Sequence, residues 1–529
     1  MIESNKKSRK VVRFMRLLNC EEMKQVEKYT AKYGLSYQRM MENAGAACTR
    51  NIRNVIELDK TRRRNIAVVC GKGNNGGDGF VVARKFAENG YNVCVVLASG
   101  YPATAEAEYM YKMAVDIAIP TVWYDADRQK AVQTIRNADV IVDAIFGFSF
   151  YGSISDDMKV LINEMSSARG LKFAIDVPSG VYCDSGYRDT GCFVADYTIA
   201  ISALKPAHIV HPASDCCGDI IIANIGIPEE SYNFINSSMY TYNKTEVGNL
   251  LPSRDPCAHK GSFGHLLSIC GSRNMPGAAV LAASSALRSG VGLVTCAFPQ
   301  SLYTTMTSKL TETLFMPLSE SADGTLSADS VETLVASLDK YDAILIGCGL
   351  GVNDDTTAVL KAVLENAKSP VVVDADGLTI ISKHPEFLNN HVAAVIITPH
   401  PGEMSRLTGV DTQLIQTDRV SYAKNYSHEH GVYVVLKGSN TVVASPESDR
   451  VYVNASGNNG LSKGGTGDVL AGMLGALCAR GTEIKNCADA AVYIHGYCAD
   501  VLADRESKTG MLPSDIVKEL ATVFAEFEN

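Results

Sequence analysis

The chain lacks several features that would place it in a specialised class of protein. No apolar run reaches the ~18 consecutive residues that a membrane-spanning helix requires. The basic residues at the start contain no apolar core of the kind found in secretory signals. A net charge of −9 argues against a general nucleic-acid-binding surface. We therefore expect neither a membrane nor a nucleic acid among its partners.

The cysteines are numerous but show no metal-binding pattern. There are 15 of them, an odd number, and no Cys-x-x-Cys motif occurs. Most lie in apolar segments typical of strands or helices, as Cys70 and Cys270 do, which predicts reduced, buried thiols in the cytoplasm. The adjacent Cys216 and Cys217 are interpreted as loop packing, because no second pair accompanies them.

The length of 529 residues exceeds what one hydrophobic core usually accommodates, so two domains are expected. The segment between Ile227 and Pro256 is rich in proline and asparagine and marks the boundary. An α/β alternation runs on both sides of it. We place a basic extension at residues 1–15, a first domain at 16–235 and a second at 236–529. The extension is interpreted as disordered, because Glu3 and the scarcity of serine are atypical of organelle targeting.

A glycine-rich loop follows the first strong strand of the first domain. The strand covers residues 65–70, the loop is Gly71-Lys-Gly-Asn-Asn-Gly-Gly-Asp-Gly79, and a helix is predicted over 80–89. The next strand, 92–97, ends in Ala-Ser-Gly, with no acid to hold a ribose. An ordinary NAD-dependent dehydrogenase is therefore not expected. The polar Asn74, Asn75 and Asp78 predict contact with a ligand or a cation.

Two later strands of the first domain end in a carboxylate, at Asp143 and Asp176. In an open parallel sheet the ligand crevice lies outside the carboxyl ends of the strands, which places Asn75, Asp143, Asp176 and Ser179 on one rim. Oxygen ligands from several loops suit a hard cation. Each acid alone is equally consistent with helix capping, but their recurrence at equivalent positions favours a site.

In the second domain the motif Gly464-Gly-Thr-Gly-Asp468 lies between a strand at 450–454 and an apolar helical pattern at 469–477. Glycines and a helix N-terminus attract phosphate. A carboxylate beside a phosphate predicts a base that takes a proton from a hydroxyl attacking phosphorus. The alternative is that Asp468 only caps the helix.

Other strand ends of the second domain also carry polar residues. Lys437 and Gly438 suit the phosphates of a nucleotide, and Asp374 suits a metal or a substrate group. His400 lies between two prolines at a strand end, which favours a ligand contact over a structural role.

These motifs resemble those of the bifunctional NAD(P)H-hydrate repair enzymes, from about Arg16 to near the end of the chain. The motifs are Asn43-Ala-Gly45, the 71–79 loop, Asp143-x-x-x-Gly147, Asp176-Val-Pro-Ser-Gly180, His259-Lys-Gly261, Gly347-x-Gly-Leu-Gly351, Thr398-Pro-His-Pro-Gly-Glu403 and Gly464-Gly-Thr-Gly-Asp468. The resemblance implies an α/β protein with a Rossmann-like N-terminal domain and a ribokinase-like C-terminal domain.

The resemblance also implies a chemistry. The substrate would be NADHX or NADPHX, the nicotinamide cofactor with water added across its C5–C6 double bond. The first domain would interconvert the R and S epimers, with Asp176 as the acid/base. The second would dehydrate the S epimer with ADP, giving AMP and phosphate, and Asp468 would deprotonate the hydroxyl that attacks the terminal phosphoryl group. K⁺ and Mg²⁺ are the implied cations.

The family's site residues transfer onto four groups in this sequence. The hydrate in the first domain would contact Asn74, Asn75, Gly76, Gly77, Asp78, Gly147, Phe148, Ser149, Phe150, Tyr151, Gly152, Ser153 and Asp176. Potassium would be held by Asn75, Asp143 and Ser179. The nicotinamide nucleotide in the second domain would contact Ala278, Gly349, His400 and Asp468. ADP would contact Lys437, Gly438, Ser439, Asn440, Thr441 and Gly467, with Mg²⁺ bridging its phosphates.

Two other classes of function stay open at this point. One is a ribokinase-like small-molecule kinase with an accessory Rossmann-like binding domain, since Gly-x-Gly-Asp also serves hydroxyl phosphorylation. The other is a non-enzymatic binding module. ADP is expected over ATP from the resemblance alone. We also expect a homo-oligomer, although no residue pattern identifies its interface.

Overall fold

A computed structural model describes residues 15–58, 64–254 and 257–528. The predicted basic extension therefore lies, except for Met15, outside the described residues. The chain divides into two compact units between Ser238 and Met239, inside the segment rich in proline and asparagine. Among the described helices, none is long and apolar enough to cross a membrane.

The first unit alternates strands and helices. Its strands are β1 (Met15–Leu17), β2 (Asn65–Cys70), β3 (Asn92–Leu97), β4 (Thr121–Trp123), β5 (Val140–Ala144), β6 (Leu171–Ile175), β7 (Tyr197–Ile201) and β8 (Asp219–Ala223). Its helices are α1 (Cys20–Lys32), α2 (Tyr37–Leu58), α3 (Asn74–Glu88), α4 (Ala105–Asp116), α5 (Arg128–Arg136), α6 (Asp156–Ser167) and α7 (Glu229–Asn233).

Seven of these strands form one parallel sheet in the order β4-β3-β2-β5-β6-β7-β8. Strand β5 is buried along its whole length, as expected of a strand covered on both faces by helices. The order reverses between β2 and β5, and ligands of such sheets bind at the carboxyl ends of the strands on either side of the reversal. The Rossmann-like class predicted for this domain is confirmed.

Helix α3 begins at Asn74, inside the glycine loop, and not at residue 80 as predicted. The glycines allow the helix to begin here, because without side chains they let its first turns pack directly against the sheet. A Cβ at Gly76 would lie 2.0 Å from the Gly71 carbonyl oxygen, and one at Gly79 would lie 2.6 Å from Ala144 Cβ. The motif is therefore the first turn of a closely packed helix, with Asn74 and Asn75 at its N-terminus.

The second unit is also of the α/β class. Its strands are β9 (Met239–Thr241), β10 (His265–Ile269), β11 (Leu293–Pro299), β12 (Leu314–Leu318), β13 (Ala343–Ile346), β14 (Val371–Val373), β15 (Val395–Ile397), β16 (Tyr433–Leu436), β17 (Val442–Ser445) and β18 (Ser448–Val453). Its helices are α8 (Lys244–Gly248), α9 (Pro276–Arg288), α10 (Tyr303–Lys309), α11 (Val331–Val335), α12 (Asp354–Asn366), α13 (Asp376–Lys383), α14 (Pro401–Thr408), α15 (Thr412–Thr417), α16 (Arg419–His430), α17 (Thr466–Ala479), α18 (Ile484–Ala503) and α19 (Pro513–Phe527).

The strands of the second unit follow the order β9-β18-β17-β16-β15-β14-β13-β10-β11-β12. Strand β17 pairs antiparallel with β16 and β18, and the other described pairs of this unit are parallel. The two-domain α/β class predicted from the sequence is confirmed.

Helix α17 is the central helix of the second unit, and all of its residues from Val469 to Ala479 are buried. It lies unusually close to α9, because a Cβ at Gly472 would be 2.1 Å from the Ala282 carbonyl oxygen. Such close backbone packing fixes the helix axis. The first turn of α17, which carries Asp468, is held in place by the same packing.

Two neighbouring residues of α6 differ in burial, and this difference gives a prediction about the stability of the first unit. Leu161 is fully buried and Val160, its neighbour, is 55% exposed. Leu161→Ala should lower the free energy of unfolding by about 2–5 kcal/mol, because it leaves a cavity in the core. The matched Val160→Ala should change it by less than about 0.5 kcal/mol. Trp123 is the single tryptophan and lies in this unit, so its fluorescence during urea unfolding measures the free energy of unfolding of the unit. Equal effects of the two changes would contradict the assigned burial.

Candidate active sites

The first unit has a cavity of about 440 Å³ at the carboxyl ends of β2, β5 and β6. Its lining includes many of the residues predicted to bind the hydrate: Asn74, Asn75, Asp78, Gly147, Phe148, Ser149, Phe150 and Asp176. Five other predicted residues are not among the described lining residues: Gly76, Gly77, Tyr151, Gly152 and Ser153. Gly76 and Gly77 instead serve packing, since a Cβ at Gly77 would lie 2.5 Å from Met41 Sδ. Direct contact of these five with the hydrate stays a prediction.

The predicted potassium ligands cluster around the Phe146 peptide. Ser179 donates to Asp143 twice, from its backbone N–H to Oδ2 and from its hydroxyl to Oδ1, both at 2.7 Å. The Asn75 amide donates to the Phe146 carbonyl at 3.0 Å, and the Phe146 N–H donates to Ser179 Oγ at 2.9 Å. Asp143 is fully buried, and burial raises the pKa of its carboxyl to about 6. It does not cap a helix, because its partners, the Ile145 N–H and Ser179, lie in loops outside the helices.

Asp176 forms a buried ion pair at the end of β6. Lys205 Nζ donates to Asp176 Oδ1 at 2.5 Å, and the two side chains are 1% and 4% exposed. The Phe148 N–H donates to Asp176 Oδ2 at 3.2 Å. The backbone of Asp176 has φ 67°, a left-handed conformation that is uncommon outside glycine and is frequent at functional sites. Both members of the pair line the cavity, and Lys205 was not predicted from the sequence.

Glu27 is a second cavity residue absent from the sequence motifs. Burial first, and then the charge of Asp176, raise the pKa of its carboxyl to about 7. The pKa of Asp78 is also well above its usual range, again chiefly because of burial. Glu27 lies one helical turn after the buried Met23, on the apolar face of α1. A carboxylate on the buried face of a helix is the sequence signal that could have identified it.

In the second unit Asp468 lies in the first turn of α17 but does not cap it. The N-cap residue is Gly465, in a left-handed conformation with φ 101°, and no side chain caps the helix there. The capping alternative for Asp468 is therefore wrong. Burial first, and then the charge of Asp374, raise the pKa of the Asp468 carboxyl to about 6. A carboxyl group with this pKa can accept a proton near neutral pH.

Asp374 and Lys437 form an ion pair beside Asp468. Lys437 Nζ donates to Asp374 Oδ1 at 2.8 Å, and the Thr398 hydroxyl donates to the same oxygen at 2.6 Å. Burial alone would raise the pKa of Asp374, but its pairing with Lys437 lowers it. Gly467 lies against this pair, because a Cβ there would be 3.3 Å from Lys437 Nζ and 3.6 Å from Asp374 Oδ2.

Two carboxylates of this site are placed to hold a divalent cation. Ligand atoms of Cys348, Asp374 and Asp468 lie within 4.8 Å of one another. Mg²⁺ prefers oxygen ligands and is usually held by one or two carboxylates together with substrate phosphates. The two aspartates fit that requirement, whereas the Cys348 thiol does not.

The structure brings together two of the residues predicted to bind the nicotinamide nucleotide. Gly349, with φ 62°, lies against Ala278, because a Cβ at Gly349 would be 2.9 Å from Ala278 Cβ. His400 has a structural role: its Nδ1 accepts hydrogen bonds from the N–H groups of Gly402 and Glu403, at 3.0 and 3.3 Å, and so caps α14. Contact of His400 with the nucleotide stays a prediction.

The loop predicted to bind ADP, residues 437–441, is braced by Arg419. Its Nη2 donates to the carbonyl oxygen of Asn440 at 3.0 Å and also to that of Ser439. A Cβ at Gly438 would lie 2.3 Å from Arg419 Nη1, so the guanidinium group covers the glycine. A lone arginine at the start of a helix carries no sequence signal for this contact, and Arg419 was not predicted.

Comparison with known proteins identifies the family of this chain. The NAD(P)H-hydrate dehydratase family profile matches residues 266–522, and the YjeF-related protein N-terminus profile matches 37–207. The bifunctional NAD(P)H-hydrate repair enzyme Nnr of Moorella thermoacetica is 33% identical over 520 residues, covering 97% of each chain. This chain belongs to the bifunctional NAD(P)H-hydrate repair enzyme family. The resemblance noted in the sequence is confirmed.

Further relatives of the family cover nearly the whole chain. The Nnr enzymes of Thermofilum pendens and Escherichia coli are each 31% identical, covering 97% and 93% of this chain and 98% and 90% of their own. A crystal structure of the ADP/ATP-dependent NAD(P)H-hydrate dehydratase from Bacillus subtilis, co-crystallized with ATP/Mg²⁺, is 34% identical. It covers 54% of this chain and 98% of its own, with a TM-score of 0.47.

The raised pKa of Glu27 predicts how the stability of the first unit depends on pH. Between about pH 4.5 and 7 the folded state binds more protons at this position than the unfolded state, so stability falls as the pH rises through that window. Glu27→Gln should make the decrease in stability between these pH values smaller. Glu21→Gln, on the exposed side of the same helix, should not. Stability is measured as the urea midpoint of Trp123 fluorescence at several pH values. Parallel pH profiles of the wild-type protein and Glu27→Gln would contradict the burial of this carboxyl.

Proposed function

We propose that this protein repairs hydrated NADH and NADPH through two activities, epimerisation in the first unit and ADP-dependent dehydration in the second. One observation carries the proposal. Each unit places a carboxyl group of raised pKa near a lysine–aspartate ion pair at the ends of parallel strands: Glu27 near Asp176 and Lys205, and Asp468 near Asp374 and Lys437. Groups whose pKa values are tuned by burial and by nearby charges are typical of acid–base catalysis.

Epimerisation at C6 requires a hydroxyl group to leave and to return on the opposite face. C6 of the hydrate is bonded to the ring nitrogen, whose lone pair can form a C6=N1 double bond as the C6–O bond breaks. The protonated Glu27 would give its proton to the leaving hydroxyl, which departs as water. A water molecule then adds to the other face and loses its proton to Asp176. Lys205 would orient the Asp176 carboxylate for that step through their ion pair.

Asn75, Asp143 and Ser179 would hold potassium in this unit. Their oxygen atoms suit a hard, weakly held cation. The fit rests on Asp143, since a fully buried carboxyl with a pKa raised to about 6 is stabilised in its ionised form by a nearby positive charge. The ion would supply that positive charge at the edge of the cavity.

Dehydration in the second unit would proceed by phosphoryl transfer. Asp468 takes the proton of the C6 hydroxyl, and the oxygen attacks the terminal phosphorus of ADP, releasing AMP. The N–H groups in the first turn of α17 and the Lys437 ammonium would stabilise the charge that develops on the phosphoryl oxygens. Loss of a proton from C5 and of phosphate from C6 then restores the double bond. Mg²⁺, held by Asp374 and the phosphates, would neutralise charge on the nucleotide.

Two further properties complete the proposal. All 15 cysteines are free thiols in the described structure, which supports a reducing compartment such as the cytoplasm. A homo-oligomer stays a prediction.

Asp468→Asn should abolish dehydration and leave the interconversion of R and S hydrates intact, because the two activities reside in separate units. A general base contributes about 10²–10⁴-fold to a rate, so dehydration should fall at least that much with ADP affinity little changed. Oxygen-18 at the C6 hydroxyl of the S hydrate should appear in the phosphate released by an Asp176→Asn protein, in which epimerisation does not exchange that oxygen with water. Assays with ADP and with ATP would identify the phosphoryl donor.

Asp354→Asn is the matched control for that substitution, because Asp354 lies exposed in the first turn of another helix of the same unit. It should leave both activities unchanged. Recovery of the label in water, with the nucleotide intact, would contradict phosphoryl transfer. Loss of both activities in a folded Asp468→Asn protein would contradict the assignment of one activity to each unit.

Epimerisation should rise with potassium and be unaffected by a zinc chelator, because the proposed ligands are all oxygens. Asp143→Asn should weaken the response to potassium, measured by chiral chromatography of the hydrate across a series of alkali chlorides. Asp157→Asn, at an exposed ion pair, should retain the full response. A strict requirement for zinc, or an equal response to every alkali cation, would contradict the proposed site.

A further inference from the structure

Two cysteines in the first unit lie in contact with each other, close to the proposed potassium ligand Ser179. Cys192 lies in the loop between β6 and β7, and Cys216 lies in a short turn before β8. Their Sγ atoms are 3.2 Å apart. Cys216 is fully buried, whereas Cys192 is partly exposed to solvent. None of the proposed reactions uses either thiol.

The environment of the pair stabilises a thiolate. Arg188 Nη1 donates to Cys216 Sγ at 3.1 Å, and Arg188 is itself placed by a backbone bridge to Val181. The hydrogen bond from Cys192 and then that from Arg188 lower the pKa of the Cys216 thiol, whereas the pKa of Cys192 is raised by its bond to Cys216. One thiolate beside one thiol is the arrangement found where a nucleophilic cysteine has a resolving partner.

We propose that Cys192 and Cys216 form a redox-active dithiol, a modification site that small peroxides convert reversibly to a disulfide. The Cys216 thiolate attacks one oxygen of a hydroperoxide and breaks its O–O bond, giving a sulfenic acid and releasing hydroxide or alkoxide. Cys192 then attacks the Cys216 sulfur, and its proton leaves with the sulfenic oxygen as water. The pair loses two electrons and the peroxide gains them. A low-molecular-weight thiol reverses the reaction by exchange.

The adjacent thiol of Cys217 lacks these properties. Cys217, next in the chain, donates to the Ala207 and Ala213 carbonyls at 3.7 and 3.5 Å, and burial raises the pKa of its thiol to about 12. It is therefore the matched control: a buried thiol beside the pair that should not react.

The backbone next to Cys192 is hydrogen-bonded to Ser179. The N–H of Phe193, which follows Cys192, donates to the Ser179 carbonyl at 2.8 Å. Cys192 also packs directly on Gly180, where a Cβ would lie 2.9 Å from Cys192 Cα. A disulfide shortens the distance between the sulfur atoms to about 2 Å, so its formation pulls on this loop. We therefore expect oxidation to weaken the potassium response, an effect that rests on the proposed function.

The chemical claim is tested on the full-length reduced protein with hydrogen peroxide. Non-reducing peptide mapping should recover a Cys192–Cys216 cross-link that dithiothreitol reverses. Cys192→Ser should prevent the cross-link. Sulfenic acid should then build up at Cys216, where dimedone can trap it. Cys217→Ala should cross-link at the wild-type rate. Arg188→Gln should slow oxidation at neutral pH and shift the rate profile to higher pH. A cross-link between other cysteines, or none before over-oxidation, would overturn the proposal.

The link to Ser179 is tested separately on protein that mapping shows to be fully cross-linked. Its epimerisation should need several-fold more potassium than the reduced protein, and Cys192→Ser treated in the same way should not change. An unchanged potassium response in cross-linked protein would overturn the link alone. Absence of epimerase activity in the reduced protein would count against the proposed function and leave the mapping result standing.

Discussion

Each unit contains a lysine whose ammonium group pairs with an aspartate at the end of a parallel strand, Lys205 with Asp176 and Lys437 with Asp374. Removing two charges from water is costly, and the cost is offset only when they meet each other with good geometry. The pairs therefore fix both strand-end loops. The negative charges of the paired aspartates also act on their neighbours, because they help to raise the pKa values of Glu27 and Asp468.

Close backbone packing places the other half of each site. Glycines bring α3 onto the sheet of the first unit and α17 onto α9 in the second, at distances that a Cβ would forbid. Both helix N-termini therefore point at the strand ends that carry the ion pairs. A helix N-terminus attracts anions, and its dipole is strongest where its first N–H groups are free. The same glycines serve packing and site formation, so their presence alone does not identify a ligand contact.

Cys192 lies on the same loop between β6 and β7 as residues of the site in the first unit. The loop between β6 and β7 carries Asp176 at one end and Cys192 near the other, with Ser179 between them. Because these residues share one segment, a covalent change at Cys192 would alter the position of Ser179, one of the proposed potassium ligands. Loops at strand ends are where parallel sheets accommodate chemistry, and they are also the parts of the fold that move most easily.

The α/β class, the two domains, the motif loops and most strands follow from the sequence, because hydrophobic runs, glycine clusters and strand-end carboxylates are local signals. Asp143, Asp468 and Lys437 were predicted as site residues in this way. Glu27, Lys205, Arg419 and the contact between Cys192 and Cys216 were not, because each depends on segments that are distant in the chain. Local pattern determined which residues could act, and tertiary packing decided which of them are buried together, since burial and neighbouring charge set their pKa values.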